Sequence, residues 1–339
     1  MLKLEDVFYF YHNNTSFALN KINIKVENGN ITCLLGHSGC GKSTILKLIS
    51  GIEKVKSGSI IINDRLVASD NKHVPIEKRN VGLIFQHPSL FPHKTVVENV
   101  MFAIKTFPKN LRHKVALDIL DTLNIKMYEN FYPSALSGGQ QQLVSIARVV
   151  AQNPTVVLLD EPFSHLDIIL KSQIRKYILS LFKEKNIPVL MVTHDPEEAL
   201  EVADFLYVMR DGKIIQSGHP NDVYIKPKDH ILAKFFNKDN YFHATVRHSY
   251  IESPFGKIPA RQFQNNDNVI VLIRPEAILL NNHSNIEAVI EDIKLFNNVT
   301  CINVQKKLYL MRLPDILSCS KGDVIYISLD FNQVLMFKN

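Results

Sequence analysis

Short apolar runs alternate with segments of helical periodicity through the first two thirds of the chain. Three of these runs are Ile31–Leu35, Thr155–Leu159 and Val189–Thr193. A short run that is apolar at almost every position is typical of a strand buried on both faces of a parallel sheet. Because helical segments separate the runs, the pattern predicts an α/β domain with a mainly parallel sheet.

The strand-like runs end at residues that can carry chemistry. Gly36, Asp160 and His194 directly follow the three runs, and the alternation of Val81, Leu83 and Phe85 predicts a further strand that ends at Gln86. Parallel sheets bind ligands at the carboxyl ends of their strands. We therefore expect these four residues to meet at one edge of the sheet.

The remaining patterns in this part of the chain predict helices and a second group of strands. The alternation from Ile22 to Val26 is that of a half-buried strand, and residues 3–26 predict two or three strands around a turn at 13–15. Helical patterns run from Val96 to about Lys105, from Lys109 to about Leu123, and onward from Leu136.

The chain changes character from about Phe242. Helical patterning gives way to short alternating strands at Val269–Ile273, Leu308–Met311, Val324–Leu329 and Val334–Phe337. This texture predicts a small all-β domain, joined to the first domain near residues 237–240.

Composition narrows the possible classes of protein. The 339 residues suffice for two domains, and no apolar run approaches the ~18 residues that span a membrane. The first residues lack the layout of a signal peptide, and the four cysteines lack metal-ligand spacing, which favours a reduced compartment. The net charge is +6, and residues 240–339 hold 10 Lys and Arg against 9 Asp and Glu, so no nucleic-acid-binding arm is indicated.

The segment Gly36 to Ser43 reads GHSGCGKS, a full match to the Walker A pattern of a phosphate-binding loop. Glycine lets the backbone curl so that its N–H groups surround a polyphosphate, and the helix that follows directs its positive end at the same anion. Lys42 would reach the outer phosphates, and the Ser43 hydroxyl would hold Mg²⁺. The segment predicts a nucleotide site.

Further motifs occur in the order found in the ATPases of ABC transporters. After the loop come LSGGQ at 136–140, the Walker B strand VVLLD at 156–160 with Glu161, the segment 164–167, and His194. From residue 2 to about 236 the chain resembles the importer branch of this family. The resemblance implies a P-loop NTPase of the ABC ATPase type over 1–238, with a helical subdomain at about 88–153 and a TOBE-like β-domain of the OB type over 239–339.

The resemblance also implies a role for each matched residue. Asp160 would hold Mg²⁺ together with Ser43 and Gln86. Glu161 would be the general base, and His194 would contact the γ-phosphate. Tyr11 is predicted to stack on the adenine, with Tyr9 as the alternative. The predicted ATP contacts are Tyr11, Gly36, His37, Ser38, Gly39, Cys40, Gly41, Lys42, Ser43, Thr44, Gln86 and Asp160.

The LSGGQ motif implies a homodimer. Its Ser137, Gly138, Gly139 and Gln140 would contact the ATP of the partner subunit, and Asp167 would be the D-loop aspartate at the subunit interface. One departure is Leu143, where the family commonly has arginine. We expect adjusted packing there rather than lost activity.

The motif Leu272–Glu276, LIRPE, resembles the start of the TOBE domain in an importer subgroup that serves sugars, polyamines, sulfate and ferric iron. The stretches GHSGCGKST and RNVGLIFQHPSLFPHKTVVENV most resemble ferric-iron importer ATPases. The resemblance therefore implies ATP-driven uptake of ferric iron, with sugar, polyamine or another small solute as the alternative.

Such a subunit would act at the cytoplasmic face of the inner membrane, bound to permease subunits and served indirectly by a periplasmic solute-binding protein. A non-transport ABC ATPase is the alternative from a different class. Those chains usually carry two ATPase halves or long insertions, and this sequence has neither.

Overall fold

The computed structural model describes residues 1–11, 18–163, 168–236, 240–294, 299–312 and 319–339. The chain divides into two compact units, Met1–Val223 and Tyr224–Asn339. The predicted domain boundary at 238/239 falls among residues outside the described part, and it stays a prediction. No helix of the described residues is both long and apolar enough to cross a membrane.

The first unit combines two sheets with helices. Its described elements are β1 (Leu2–Tyr9), β2 (Leu19–Val26), β3 (Ile31–Leu35), α1 (Lys42–Ser50), β4 (Ser57–Ile62), β5 (Arg65–Ser69), β6 (Lys72–His73), β7 (Val81–Ile84), α2 (Val96–Ala103), α3 (Lys109–Thr122), α4 (Gly138–Gln152), β8 (Val156–Asp160), α5 (Ile168–Glu184), β9 (Val189–Thr193), α6 (Pro196–Val202), β10 (Phe205–Arg210), β11 (Lys213–Gly218) and α7 (Pro220–Ile225), the last of which continues into the second unit.

A six-stranded sheet in the order β11-β10-β3-β9-β8-β7 forms the centre of this unit. Its strands run parallel except β11, which is antiparallel to β10. Every residue of β3 and of β9 is buried, as the continuous apolar runs predict. The parallel α/β domain predicted from the sequence is therefore confirmed.

A second sheet, antiparallel, has the strand order β2-β1-β4-β5-β6. One buried apolar cluster joins this sheet, the α1 residues Ile45 and Leu48, and the six-stranded sheet. The alternation from Ile22 to Val26 is confirmed, since Ile22, Ile24 and Val26 are all buried. The helix that follows the phosphate-binding loop is thus held by apolar packing on two sides.

The strand predicted to run through Phe85 to Gln86 is shorter than expected. β7 ends at Ile84, its buried residues are Gly82 and Ile84, and Phe85 is exposed. β7 is the edge strand of the sheet and pairs only with β8 in the described residues. Because one side of β7 has no neighbouring strand, its end is free to turn away before Gln86.

Arg79 joins the end of α1 to the segment that leads into β7. Its buried guanidinium donates to Leu48 O at 2.7 Å, Ile49 O at 2.8 Å and Val74 O at 2.6 Å. The carbonyl groups in the last turn of a helix have no partner within the helix, so Arg79 supplies it. Burial lowers the pKa of the guanidinium to about 10, which leaves it charged at neutral pH.

Helices α2, α3 and α4 occupy the segment predicted as a helical subdomain and pack on one another. Each predicted start of α2 and α3 is confirmed, and the ends differ by one or two residues. Thr95 and Glu98 form a capping box at the start of α2, with Glu98 N donating to Thr95 Oγ1 and Thr95 N donating to Glu98 Oε2.

The second unit is mainly antiparallel β-structure, as predicted. Its described elements are α8 (His230–Phe236), β12 (Tyr241–Thr245), β13 (Tyr250–Ser253), β14 (Gly256–Pro259), β15 (Asn268–Ile273), β16 (Ile278–Leu280), β17 (Ile286–Lys294), β18 (Val299–Val304), β19 (Lys307–Arg312), β20 (Val324–Leu329) and β21 (Val334–Lys338). They form the sheets β12-β15-β21 and β16-β20-β17-β18-β19 and the hairpin β13-β14.

The RPE motif of the second unit forms a compact charged group. Arg274 is buried, lies 4.1 Å from the centre of the Tyr224 ring, and donates to Tyr224 O. Glu276 pairs with Arg312 over 3.3 Å and accepts a hydrogen bond from the Tyr224 hydroxyl. The motif therefore holds Tyr224 against the β-structure of the second unit.

Candidate nucleotide-binding site

The loop from Gly36 to Gly41 connects β3 to α1 and depends on close backbone packing. A Cβ at Gly36 would lie 2.3 Å from Met209 O, and one at Gly41 would lie 2.7 Å from the Leu19 side chain. Gly41 has φ 108°, in the left-handed region, and provides no side chain to cap α1. The first N–H groups of α1 therefore have no side-chain acceptor at this position, which suits them to bind an anion.

The Lys42 ammonium group lies against the loop from which its helix begins. It is buried and donates to Gly36 O at 2.7 Å and His37 O at 2.9 Å. The Cys40 sulfur is 3.9 Å from the same nitrogen. Burial raises the pKa of the Cys40 thiol more than Lys42 lowers it, so the thiol stays protonated and weakly nucleophilic.

Ser43 and Asp160 bring two oxygen atoms together, one from the start of α1 and one from the end of β8. The Ser43 hydroxyl donates to Asp160 Oδ1 over 3.2 Å. Mg²⁺ binds oxygens at 2.0–2.1 Å in an octahedron, so adjacent ligand oxygens lie about 2.9 Å apart. The pair therefore fits two neighbouring positions of a magnesium site.

Burial raises the pKa of the Asp160 carboxyl above its usual value of 3.8. The Ser43 hydrogen bond and the Lys42 charge oppose this shift, and repulsion by the Glu161 carboxylate adds to it. A carboxylate that has lost water and faces a like charge gains from a nearby cation. Asp160 is thus electrostatically suited to a metal ligand.

Glu161, His194 and Gln86 meet beside this pair. Glu161 Oε1 is 2.7 Å from His194 Nδ1, and Glu161 Oε2 accepts a hydrogen bond of 3.5 Å from Gln86 Nε2. Glu161 has φ 46°, a left-handed conformation that costs about 1–3 kcal/mol for a residue with a side chain. Its N–H donates to Val192 O, which holds the strained residue in place. The predicted meeting of the strand ends is confirmed in this geometry.

The two tyrosines considered for the adenine differ in position. Tyr9 is buried, and its hydroxyl donates to Glu53 over 2.9 Å. The Tyr11 ring is 41% exposed, and its hydroxyl is 2.8 Å from Thr44 Oγ1, in the first turn of α1. A stacking ring needs an open face, so Tyr11 alone of the two can serve.

The LSGGQ segment forms a separate helix start. Ser137 and Gln140 make a capping box for α4, with Gln140 N donating to Ser137 Oγ over 3.3 Å. Gly138 and Gly139 leave the first turn without side chains, and a Cβ at Gly138 would meet no atom within 4 Å. The side-chain hydrogen bonds of Ser137 and Gln140 described in the structure are those of this capping box. Asp167 lies outside the described residues.

Two features of α4 are not evident from the sequence motifs. The buried Gln142 amide donates to Phe85 O over 3.1 Å and so ties α4 to the residue before Gln86. Leu143, which replaces the common arginine, is buried and lines a cavity of about 450 Å³ together with Ile125, Tyr128, Ile174 and Tyr177. These contacts join residues that are far apart in the sequence, so they follow from the packing of helices and strands and not from a local motif.

A family model described as ABC transporter matches residues 19–164. The spermidine/putrescine import ATP-binding protein of Oleidesulfovibrio alaskensis is 41% identical over 275 residues, which cover 78% of this chain and 72% of that protein. The Fe(3+) ions import ATP-binding protein of Mesorhizobium japonicum is 38% identical over 262 residues, 77% of this chain and 72% of the relative. The chain belongs to the ABC transporter family.

A third relative and two solved structures agree with this family assignment. The sulfate/thiosulfate import ATP-binding protein of Nitrosomonas europaea is 38% identical over 270 residues, 77% of this chain and 73% of the relative. A dimeric ATP-binding cassette in a post-hydrolysis state with ADP and Pi matches with TM-score 0.59 and 30% identity, over 65% of this chain and 99% of that chain. The cbiO1 protein of Clostridium perfringens, part of an ABC transporter complex, matches with TM-score 0.60 and 31% identity, over 70% and 94%.

These comparisons place the chain among the import ATP-binding proteins of the family. They confirm the predicted ABC ATPase fold. They also confirm that the chain binds ATP together with Mg²⁺.

Asp160→Asn is expected to raise the thermal stability of the nucleotide-free ABC protein. Because the pKa of the folded carboxyl is raised, its charged form opposes folding at every pH above that pKa, and the cost disappears as the pH falls through the usual 3.8. Removing the charge should raise Tm by roughly 2–4 °C for each kcal/mol recovered. The same variant should lose the further stabilisation by ADP with Mg²⁺, as measured by calorimetry. Asp118→Asn, on the exposed side of α3, serves as the control and should change neither value.

Tyr11→Ala is expected to weaken nucleotide binding by about tenfold, because stacking of a base on an aromatic ring contributes roughly 1–3 kcal/mol. Tyr11→Phe keeps the ring and should bind within about twofold of the wild type. Titration of a fluorescent ATP analogue measures both, with Tyr132→Ala, a change at another exposed tyrosine, as the control. Equal affinities for Tyr11→Ala and the control would exclude Tyr11 from the adenine site.

Proposed function

We propose that the chain is the ATP-hydrolysing subunit of an ABC importer and that Glu161 is its general base. The observation that carries this proposal is the position of the Glu161 carboxylate. It lies at the end of β8, in contact with His194 Nδ1, and directly follows Asp160 of the Ser43–Asp160 pair. A base next to the metal ligands can reach a water molecule that attacks the γ-phosphate.

The neighbouring residues share the remaining work. Lys42 offsets charge on the outer phosphates, and Ser43, Asp160 and Gln86 would hold Mg²⁺. The ion would supply positive charge that neutralises the phosphates. His194 contacts the γ-phosphate and keeps Glu161 oriented through their 2.7 Å contact. Phosphoryl transfer depends mainly on such positioning and charge neutralisation.

The second half of each site comes from another copy of the chain. Ser137, Gly138, Gly139 and Gln140 of one subunit bind the ATP held by the loop of the other, and Asp167 is proposed as the D-loop residue of the interface. Support comes from the capped but sterically open start of α4, and from the dimeric state of the similar cassette with ADP and Pi. Head-to-tail pairing of two identical chains produces two complete sites.

The homodimer works at the cytoplasmic face of the inner membrane with permease subunits, which receive solute from a periplasmic binding protein. The support is that the relatives are named import ATP-binding proteins. No part of this assignment involves nucleic acid.

Ferric iron is the proposed substrate, on the basis of the Walker A and Gln86 segments. The named relatives that import polyamines and sulfate are as similar as the one that imports Fe(3+) ions, so a polyamine or sulfate fits equally well. The TOBE-like domain over 239–339 fits each of these substrates.

Glu161→Gln is expected to bind ATP normally and to hydrolyse it at least 100-fold more slowly, since general base catalysis contributes roughly 10²–10⁴-fold. ATP should then trap a dimer that elutes earlier in gel filtration than the nucleotide-free chain. Glu53→Gln, which removes a carboxylate outside the site, is the control and should keep wild-type turnover. Turnover of Glu161→Gln within about threefold of wild type would exclude the base role.

Uptake measurements separate the candidate substrates. Cells that lack the chain receive either the wild type or Glu161→Gln, and uptake of radiolabelled ferric iron, spermidine and sulfate is followed in each. Restoration of iron uptake by the wild type alone supports the proposal. Restoration of spermidine or sulfate uptake with iron unchanged would assign the substrate to that solute instead.

A further inference from the structure

A network of charged side chains contacts the residues on both sides of His194. Arg175 on α5 and Glu198 on α6 are each only 6% exposed, and Arg175 Nη1 is 3.5 Å from Glu198 Oε1. Arg175 Nη2 donates to Glu201, which also lies on α6. Helices α5 and α6 are therefore joined by one buried ion pair, Arg175–Glu198, and by a second contact to the partly exposed Glu201.

This network reaches the backbone on both sides of His194. The Thr193 hydroxyl donates to Glu198 Oε2 over 2.7 Å and accepts from Asp195 N over 3.0 Å. The Asp195 carboxylate in turn accepts from Glu198 N over 3.3 Å and caps α6. The Glu198 carboxylate thus holds the Thr193 hydroxyl, which in turn accepts from Asp195 N, so the residues on both sides of His194 are tied to Glu198 through Thr193.

Stability alone does not account for this arrangement. A buried ion pair loses so much hydration that well-packed apolar residues of the same size are often equally stable or better. The Arg175 Nε–H is buried without a hydrogen-bond partner among the described atoms, which adds a further cost. A buried ion pair that leaves one donor without a partner, yet holds the segment around a reacting residue, is typical of a positioning role.

We propose that Thr193 and Glu198, supported by Arg175, are positioning residues that orient His194 toward Glu161. The inference rests on the proposed function of His194. Arg175 belongs to α5, which follows the predicted D-loop residues 164–167 in the chain, so the network also links this helix to the histidine proposed to contact the γ-phosphate. The residues act on ATP through His194 and do not touch the nucleotide themselves.

The test compares two replacements of Thr193 in the full-length chain. Thr193→Val keeps the shape but removes the hydroxyl, and kcat for ATP should fall about tenfold or more with the KM for MgATP within about twofold of wild type. Thr193→Ser keeps the hydroxyl and should restore kcat to within about threefold. A role in packing alone predicts the opposite order, because valine fills the buried site better than serine.

Lys183→Met is the matched control. Lys183 also lies on α5 and pairs with Asp204 over 2.7 Å, and among the described residues it forms no ion pair or side-chain hydrogen bond with the segment at 193–195. It should change kcat by less than about twofold. If Thr193→Val fails to fold, Glu198→Gln replaces it, since this change keeps the shape and the acceptor for Thr193 but removes the charge that holds Arg175.

A double-mutant cycle shows whether the effect passes through His194. His194→Ala alone should lower kcat strongly, and adding Thr193→Val to it should lower kcat by no more than about twofold further. A full additional tenfold loss in the double variant would overturn the inference. If His194→Ala loses turnover while Thr193→Val and Glu198→Gln keep it, the inference alone is wrong. If His194→Ala keeps wild-type turnover, the proposed role of His194 fails and the inference with it.

Discussion

Parallel pairing of β3, β9 and β8 is the constraint on which the site depends. Leu35 pairs with Thr193, and Asp160 pairs with Val192, so the three strands end within one residue of each other. Side chains that are more than 100 residues apart in the chain therefore lie within hydrogen-bond distance. A slip of the β8–β9 register by one residue would turn Asp160 to the opposite face and separate it from Ser43.

The sequence predicts best the elements whose bounds are determined by the local pattern of apolar residues alone. Ile31–Leu35 forms a strand over the expected residues, because a short run that is apolar at all but one position and ends at glycine is typical of a strand buried on both faces. The end of β7 was predicted two residues too late, since an apolar Phe85 continues the alternation although it is exposed in the structure. Local pattern does not tell whether a strand lies at the edge of a sheet.

Residues that act through partners distant in the chain were beyond the sequence patterns. Gln142 contacts Phe85, and Arg175 contacts Glu198, through helix packing that periodicity does not specify. A signal did exist for part of the second contact. Asp195 followed by Pro196 predicts a capped helix start directly after His194, and such a cap fixes the direction of the preceding residue.

The guanidinium of Arg79 stabilises the helix that follows the phosphate-binding loop from outside the loop sequence. It fastens the last turn of α1 to the segment that leads into β7, so local opening of either should expose both to hydrogen exchange as one cooperative unit. The loop and helix from Gly36 to Gly51 therefore depend on a residue outside this segment for part of their stability. In another scaffold these residues would keep the sequence of the loop but would lack Arg79, whose hydrogen bonds hold the last turn of α1.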